Sequence, residues 1–261
     1  MAEARIMGMP VAITGVERAA AEEAFAWLRR VDSLFSTYRA DSEISRLDRG
    51  ALVLADCDPL VREVLERCET LRGLTAGYFD ARATGRLDPS GFVKGWAVDR
   101  AAALLDAAGA ERSCVNAGGD LVVRGGPWRV GIRHPRRRRR LAAALAVADA
   151  AVATSGAYER GAHVLDPHTG RPARGVLSIT VVGPELATAD AYATAAFAMG
   201  RAGPAWTAGL DGYEAMTVLD DGVLCTPGFA HLCGGSVAGS VSGGRLRSPG
   251  WRRQTRARWP A

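Results

Sequence analysis

The sequence predicts one α+β domain, because helical segments come first, strands follow in the middle, and no linker divides the chain. Apolar residues recur at helical spacing in residues 17–34 and 59–74. From residue 113 to residue 182 the pattern changes to short strand-like segments separated by Gly, Pro and polar turns. This order differs from the regular alternation of strand and helix in a parallel α/β fold.

The N-terminal part is predicted to contain one strand and four helices. The strand covers residues 9–14, and the helices cover residues 17–34, 42–46, 59–74 and 98–108. Asp41 is the predicted N-cap of the second helix, and Pro59 lies in the first turn of the third. Gly109 follows the fourth helix and is a natural stop signal.

The C-terminal part is predicted to be mostly strands. These cover residues 113–123, 128–133, 145–153, 164–165 and 177–182, followed by a helix over residues 187–199 and a hairpin over residues 214–219 and 222–226. After residue 228 the sequence is rich in Gly, Ser, Arg and Pro and has no periodicity. We therefore expect a domain of residues 1–228 and a disordered tail of residues 229–261.

The composition is that of a globular protein, with 48% hydrophobic and 23% charged residues among 261. The net charge of +5 comes mostly from residues 136–140 and the tail, so we interpret it as a solvated loop and tail and expect no nucleic-acid partner. Five cysteines without a CxxC pair indicate free thiols in a reducing compartment. There is no signal peptide, lipid-anchor cysteine or membrane span, so we expect a cytoplasmic protein unless the start is truncated.

Several polar segments carry more functional groups than a core requires. Taken alone, residues 35–46 fit a capped helix start, whereas residues 77–80, GYFD, can stack a planar ring or simply form a packed turn. In residues 87–99, a glycine-containing loop and Lys94 can approach a phosphate where a helix begins. Residues 116–120, NAGGD, form another glycine turn, for which a hairpin is the simpler interpretation.

A further segment combines a candidate metal pair with a histidine. Asp190 and Thr194 are four residues apart on a predicted helix, so their oxygens can point the same way. A carboxylate, a hydroxyl and backbone carbonyls suit Mg²⁺ rather than Zn²⁺, although local hydrogen bonding also explains such a pair. His163 has no partner at metal-ligand spacing, which leaves acid–base chemistry, ligand contact or core hydrogen bonding open.

Taken in this order, the segments resemble the ApbE family, the FAD:protein FMN transferases, over residues 7–227. The motifs that carry the resemblance are MGM, FSTYRADSEISRL, AGYFD, LDPSGFVKGWAVD, NAGGDL, TSGAYER with HVLDPHTG, and ADAYATAAFAMG. The resemblance implies a single ApbE-like domain with mixed or antiparallel sheets and packed helices. It also implies an enzyme that uses FAD and Mg²⁺, attaches FMN to a Thr or Ser hydroxyl of a target flavoprotein, and releases AMP.

The resemblance implies roles for individual residues as well. Asp190, Thr194 and the main-chain carbonyl of Gly91 correspond to Mg²⁺ ligands, and glycine stands where relatives often have alanine. His163 matches the histidine on which activity in the family depends, so His163 and Asp190 are the expected catalytic residues. The implied FAD contacts are Met7, Tyr38, Tyr78, Phe79, Asp80, Asp88, Lys94 and His163.

Three functions remain open from the sequence alone. An FMN transferase would leave covalent flavin on a partner, whereas an FAD pyrophosphatase would give FMN and AMP without an acceptor. A flavin-binding protein without catalysis is the third, and the combination of Asp190, Thr194 and His163 argues against it. The sequence does not decide between Mg²⁺ and Mn²⁺, and it does not identify the acceptor protein or the oligomeric state.

Overall fold

The computed structural model describes residues 1–137, 139–156 and 164–233. Its strands are β1 (Ala2–Ile6), β2 (Met9–Thr14), β3 (Ser113–Ala117), β4 (Asp120–Arg124), β5 (Trp128–Arg133), β6 (Leu141–Val147), β7 (Ala150–Gly156), β8 (Leu165–Asp166), β9 (Arg171–Pro172), β10 (Ser178–Gly183), β11 (Glu214–Val218) and β12 (Val223–Cys225). Its helices are α1 (Arg18–Phe35), α2 (Glu43–Asp48), α3 (Pro59–Leu74), α4 (Ser90–Ala107), α5 (Leu186–Ala198), α6 (Gly203–Thr207) and α7 (Pro227–Leu232), with 3₁₀ turns at Leu54–Asp56 and Gly200–Ala202.

The central element is an eight-stranded sheet with the order β1-β2-β3-β4-β7-β10-β11-β12. Each pairing between these strands is antiparallel. The pairs β5–β6 and β8–β9 form separate two-stranded hairpins. Helices packed on an antiparallel sheet confirm the predicted α+β class.

The central strands contribute to two cores on opposite faces of the sheet. In β4, Val122 packs into the core beneath α1, α4 and α5, whereas its neighbour Val123 belongs to the other core. This follows from the two-residue repeat of a strand. The second core is covered by the β5–β6 hairpin, which contributes Leu145, and by α7, which contributes Phe229.

Half of α4 and most of α5 are buried. α4 buries nine of its 18 residues and α5 buries eleven of its 13. Both lie in the helical layer on the sheet, and they pack closely against each other. Because an all-round buried helix has no polar stripe, its sequence lacks the amphipathic repeat that marks α1.

Several predicted elements differ from the structure. The helix over residues 59–74 is confirmed as α3, but α4 begins at Ser90 instead of residue 98, and β1 was not predicted. The long strands predicted over residues 113–123 and 145–153 are each interrupted by a turn, at Gly118-Gly119 and at Asp149 with φ of 46°. Ser42, not Asp41, caps α2, since its hydroxyl accepts the Ser45 N–H.

The folded domain extends past residue 228, where the tail was predicted to begin. α7 follows β12 and carries the fully buried side chain of Phe229. The Phe229 N–H donates to Glu214 Oε2 at 3.1 Å, which ties α7 to β11. Residues 229–233 therefore belong to the domain, and residues 234–261 lie outside the described residues.

The basic run at residues 136–140 forms the turn of the β5–β6 hairpin, except for Arg138, which lies outside the described residues. Arg136 pairs with Asp220 at the β11–β12 turn. Arg137 and Arg140 are exposed. All five cysteines are free thiols, as predicted. Within the described part of the chain, no helix is both long and apolar enough to cross a membrane.

Candidate active site

Three charged side chains meet where α4 and α5 approach the start of β4. Lys94 Nζ contacts Asp120 Oδ2 and lies 3.2 Å from Asp190 Oδ2. The side chains of Asp120 and Asp190 are only 6% and 4% exposed. Asp120 is held in place by the Thr154 N–H, which donates to its Oδ1 at 2.8 Å. One ammonium group thus bridges two buried carboxylates that come from different elements of the fold.

The carboxylates control the protonation of Lys94. Burial alone would lower the pKa of Lys94, but the charges of Asp120 and Asp190 outweigh burial and raise that pKa above its ordinary value. Lys94 therefore stays protonated at physiological pH. Counting one ammonium and two carboxylates, these three groups carry a net charge of −1, which favours a further cation nearby.

One turn further along α5, Thr194 faces the first turn of α4. Thr194 Oγ1 lies 3.3 Å from Ser155 Oγ, at the end of β7. A Cβ atom built on Gly91 would lie 4.0 Å from the same Thr194 oxygen. Asp190 and Thr194 are separated by one helical turn and share this face of α5. The structure thus brings Gly91, Asp190 and Thr194 together, although their role as metal ligands stays a prediction.

The donor set fits a magnesium ion that is completed by substrate. A carboxylate and a hydroxyl are hard oxygen ligands, and Mg²⁺ is usually held by one or two carboxylates together with phosphate oxygens. Across the described ranges, no group of three or more His, Cys, Asp or Glu side chains is placed to hold a metal ion. A site of this composition therefore suits a cation that arrives with a phosphate ligand better than a closed structural metal site.

The start of α4 is fixed by the residues just before it. Asp88 Oδ1 accepts the N–H of Ser90 at 3.0 Å, and the Asp88 N–H donates to Ala81 O at 2.7 Å. Asp88 is exposed and acts here as a local cap for the first turn of α4. The segment around Gly91 is consequently helix from its beginning, and not the glycine loop that the sequence indicated.

The Tyr78-Phe79 turn connects the candidate site with the β8–β9 hairpin. The rings of Tyr78 and His168 pack edge to face with their centroids 4.5 Å apart. His168 Nε2 lies 3.0 Å from the carbonyl oxygen of Ala76. Phe79 is buried, and a Cβ atom on Gly91 would lie 3.3 Å from its ring. The aromatic turn therefore borders the start of α4, beside Thr194.

Four further predicted FAD contacts either have other surroundings in the structure or lie outside the described residues. Asp80 pairs with an arginine of α3 at 3.3 Å. Tyr38 is 98% exposed, and Met7 occupies the β1–β2 turn with φ of 51°. His163 lies outside the described residues. The assignment of these four residues to FAD binding or catalysis therefore stays a prediction.

Two residues of the site were not assigned from the sequence. Asp120 lies in the NAGGD motif, which we interpreted as a turn, and Ser155 lies in the TSGAYER motif. The composition gives no signal for these two residues, but it does mark their neighbour, because Lys94 is the only lysine among 33 basic residues. In a chain that otherwise uses arginine, a lysine indicates a position that needs a compact point charge.

The chain matches a protein-family model and several curated relatives. The ApbE family model matches residues 7–84 and 81–217. An FAD:protein FMN transferase of Rhodobacter capsulatus is 32% identical over 216 residues, covering 77% of this chain and 39% of the relative. An FAD:protein FMN transferase of Vibrio cholerae is 36% identical over 130 residues, covering 44% of this chain and 39% of the relative. This chain thus spans about two fifths of the length of these curated relatives.

Solved structures share the fold over most of the chain. The ApbE protein of Thermotoga maritima has a TM-score of 0.79 at 24% identity, covering 89% of this chain and 98% of its own. The flavinyl transferase ApbE of Pseudomonas stutzeri, in its apo form, has a TM-score of 0.77 at 25% identity, covering 90% and 97%. The matched family model and the shared fold identify this chain as a member of the ApbE family.

Proposed function

We propose that this protein is an FAD:protein FMN transferase, which moves FMN from FAD to a Thr or Ser hydroxyl of a target flavoprotein and releases AMP. The observation that carries the proposal is the cluster of Lys94 between Asp120 and Asp190, next to Thr194. A permanent ammonium beside hard oxygen ligands suits a diphosphate group and its divalent cation. The names of the matched relatives support the same activity.

Each residue of the cluster has a distinct proposed task. Lys94 binds a diphosphate oxygen of FAD and orients the phosphorus that bears the flavin half. The residues that would hold Mg²⁺ are Asp190, Thr194 and Gly91, the last through its main-chain carbonyl, and the bound cation would supply positive charge beside the diphosphate oxygens. Asp120 keeps Lys94 protonated and in position, because it is itself fixed by the Thr154 N–H.

The proposed reaction is an in-line displacement at phosphorus. The acceptor hydroxyl oxygen attacks the FMN phosphorus, and the bond between that phosphorus and the bridging oxygen breaks, so that AMP leaves with the bridging oxygen. The hydroxyl proton passes to a general base, for which His163 is the candidate from the sequence. The aromatic face of Tyr78 is the candidate platform for a flavin or adenine ring.

Incubation of the purified protein with FAD and MgCl₂, with and without a threonine-containing acceptor peptide, tests this function. AMP is followed by chromatography and covalent flavin by intact mass. AMP together with an FMN-sized mass gain on the peptide supports the transferase. AMP at the same rate without any modified protein or peptide supports a pyrophosphatase, and FAD binding without AMP supports a non-catalytic flavin protein.

A matched pair of variants locates the reaction. Asp190→Asn should abolish AMP release, since it removes the carboxylate charge while keeping the side-chain size. Asp106→Asn removes a carboxylate that forms a partly exposed ion pair with Arg124 at the C-terminal end of α4, and this variant should leave the rate unchanged. Equal rates in both variants would show that the chemistry does not occur at Asp190.

A further inference from the structure

The first turn of α5 takes its hydrogen-bond acceptors from a neighbouring helix. The opening N–H groups of a helix have no partner within the helix itself, and a side chain at the N-cap often accepts one of them. In α5 the N-cap residue Glu185 makes no such bond. Instead, Asp99 of α4 accepts the Leu186 N–H at 2.9 Å and the Ala187 N–H at 2.8 Å.

One turn earlier on α4, Gly95 allows the same two helices to touch. A Cβ atom at Gly95 would lie 2.6 Å from Leu186 O and 2.7 Å from Ala187 N. No real side chain fits at that distance, so the backbones of α4 and α5 are in direct contact at this point. Asp99 therefore fixes the position of the start of α5 along α4, and Gly95 allows the close distance between the two helices.

The same pair of helices carries the candidate site further along. From the Asp99 end, α4 presents Gly95, then Lys94 and then Gly91, while α5 presents residues 186–187, then Asp190 and then Thr194. Lys94 meets Asp190 at 3.2 Å, and Gly91 faces Thr194. The two helices are thus antiparallel neighbours. The contacts at Asp99 and Gly95 lie at one end of their interface, and the residues proposed to bind phosphate and metal lie further along it.

We propose that Asp99 is a positioning residue for catalysis, which sets the register of α5 on α4 and thereby the placement of Asp190 and Thr194 opposite Lys94 and Gly91. The inference rests on the proposed function, because the register affects catalysis only if Asp190 and Thr194 take part in the reaction. Asp99 acts through its hydrogen bonds to the Leu186 and Ala187 backbone and is therefore a positioning residue, not a catalytic one. Its replacement should therefore impair the chemical step more than FAD binding.

The test compares Asp99→Asn with Glu214→Gln. Both variants keep the side-chain size and remove a carboxylate at the start of a helix, which accepts two N–H groups of α5 in the case of Asp99 and one N–H of α7 in the case of Glu214. Glu214 serves α7 on the other face of the sheet, through the Phe229 N–H. The amide of Asn can accept only one of the two N–H groups at α5, because its NH₂ group is a donor.

Amide hydrogen exchange and AMP-release kinetics are then measured on the full chain. In Asp99→Asn we expect faster exchange in the first turns of α5 and a fall in kcat of about tenfold or more, as for a reacting group misplaced by about 1 Å. The KM for FAD should stay within about threefold of wild type, since FAD binding is retained. In Glu214→Gln we expect wild-type exchange in α5 and an unchanged kcat.

Two results would overturn the proposal: a wild-type kcat in Asp99→Asn despite faster exchange in α5, or an equal loss of kcat in Glu214→Gln. If the wild-type protein releases no AMP, the proposed function fails, and the kinetic comparison cannot be made.

The positioning role of Asp99 can also be tested without catalysis. Lys94 is the only lysine, so [¹³Cε]lysine labelling gives one NMR signal from the site. Asp99→Asn should shift that signal and Glu214→Gln should not; the reverse, or no shift in either variant, would refute the positioning role.

Discussion

Replacement of Lys94 by Met removes the one ammonium group that two buried carboxylates share. Asp120 and Asp190 are 6% and 4% exposed, so solvent replaces the lost charge poorly. Removing one partner from a buried ion pair typically costs about 3–5 kcal/mol. We therefore expect Lys94→Met to lower the free energy of unfolding at pH 7 by about 3 kcal/mol, in the absence of a divalent cation.

Urea unfolding followed by circular dichroism measures this loss. The loss should shrink when Mg²⁺ is added at pH 7, since a cation at Asp190 compensates part of the same charge. A loss below about 1 kcal/mol that added Mg²⁺ does not change would refute the reasoning, because that is the behaviour of an exposed ion pair.

Lys94→Arg is the charge-conserving control. Arginine occupies 32 of the 33 basic positions of the chain, so lysine at this position needs a local explanation. The planar guanidinium group carries five donors on a wider frame than the ammonium. We expect Lys94→Arg to recover less than half of the stability that Lys94→Met loses and to release AMP much more slowly than wild type. Full activity in Lys94→Arg would show that any positive charge is sufficient.

Three further predictions concern neighbouring positions. Asp190→Ala should abolish AMP release while the circular dichroism spectrum is kept; undiminished AMP release would contradict the metal assignment. Gly91→Ala should keep AMP release within about threefold of wild type, because the main chain supplies the ligand and the new Cβ would lie 3.3 Å from the Phe79 ring and 4.0 Å from Thr194 Oγ1; a complete loss would contradict a main-chain role. Burial raises the pKa of Asp99 from 3.8 to about 6 despite its two backbone hydrogen bonds. The folded protein therefore holds this proton more tightly than the unfolded chain, and stability relative to Asp99→Asn should fall by up to about 3 kcal/mol as the pH rises from 4 to 7 in urea titrations; a rise over that window would contradict the burial argument.

The local parts of the site could be predicted from the sequence. Asp190 and Thr194 are one helical turn apart, so their shared face follows from helix geometry alone. Lys94 could be linked to a phosphate because it lies near a helix start. The partnership of Lys94 with Asp120 could not be predicted, because 26 residues separate them and only the packing of α4 on the sheet brings them together.

The errors in the predicted elements have a common physical cause. Gly91 and Gly95 indicate a loop when they are judged by local preference, yet Gly95 is in a helix because only glycine lets α4 and α5 touch. Phe229 is followed by glycine-rich sequence, and its burial depends on the second core beneath the β5–β6 hairpin. In both cases a tertiary contact outweighs the local preference on which single-sequence prediction relies.

The most direct test of the central claim follows the NMR signal of the single lysine during FAD binding. Protein labelled with [¹³Cε]lysine is titrated with FAD while divalent cations are chelated, and flavin fluorescence reports binding independently. The account predicts one lysine signal that shifts and saturates together with the flavin fluorescence, because Lys94 contacts the diphosphate. Saturating flavin binding with an unmoved Lys94 signal would contradict the claim that FAD is bound and cleaved between α4 and α5.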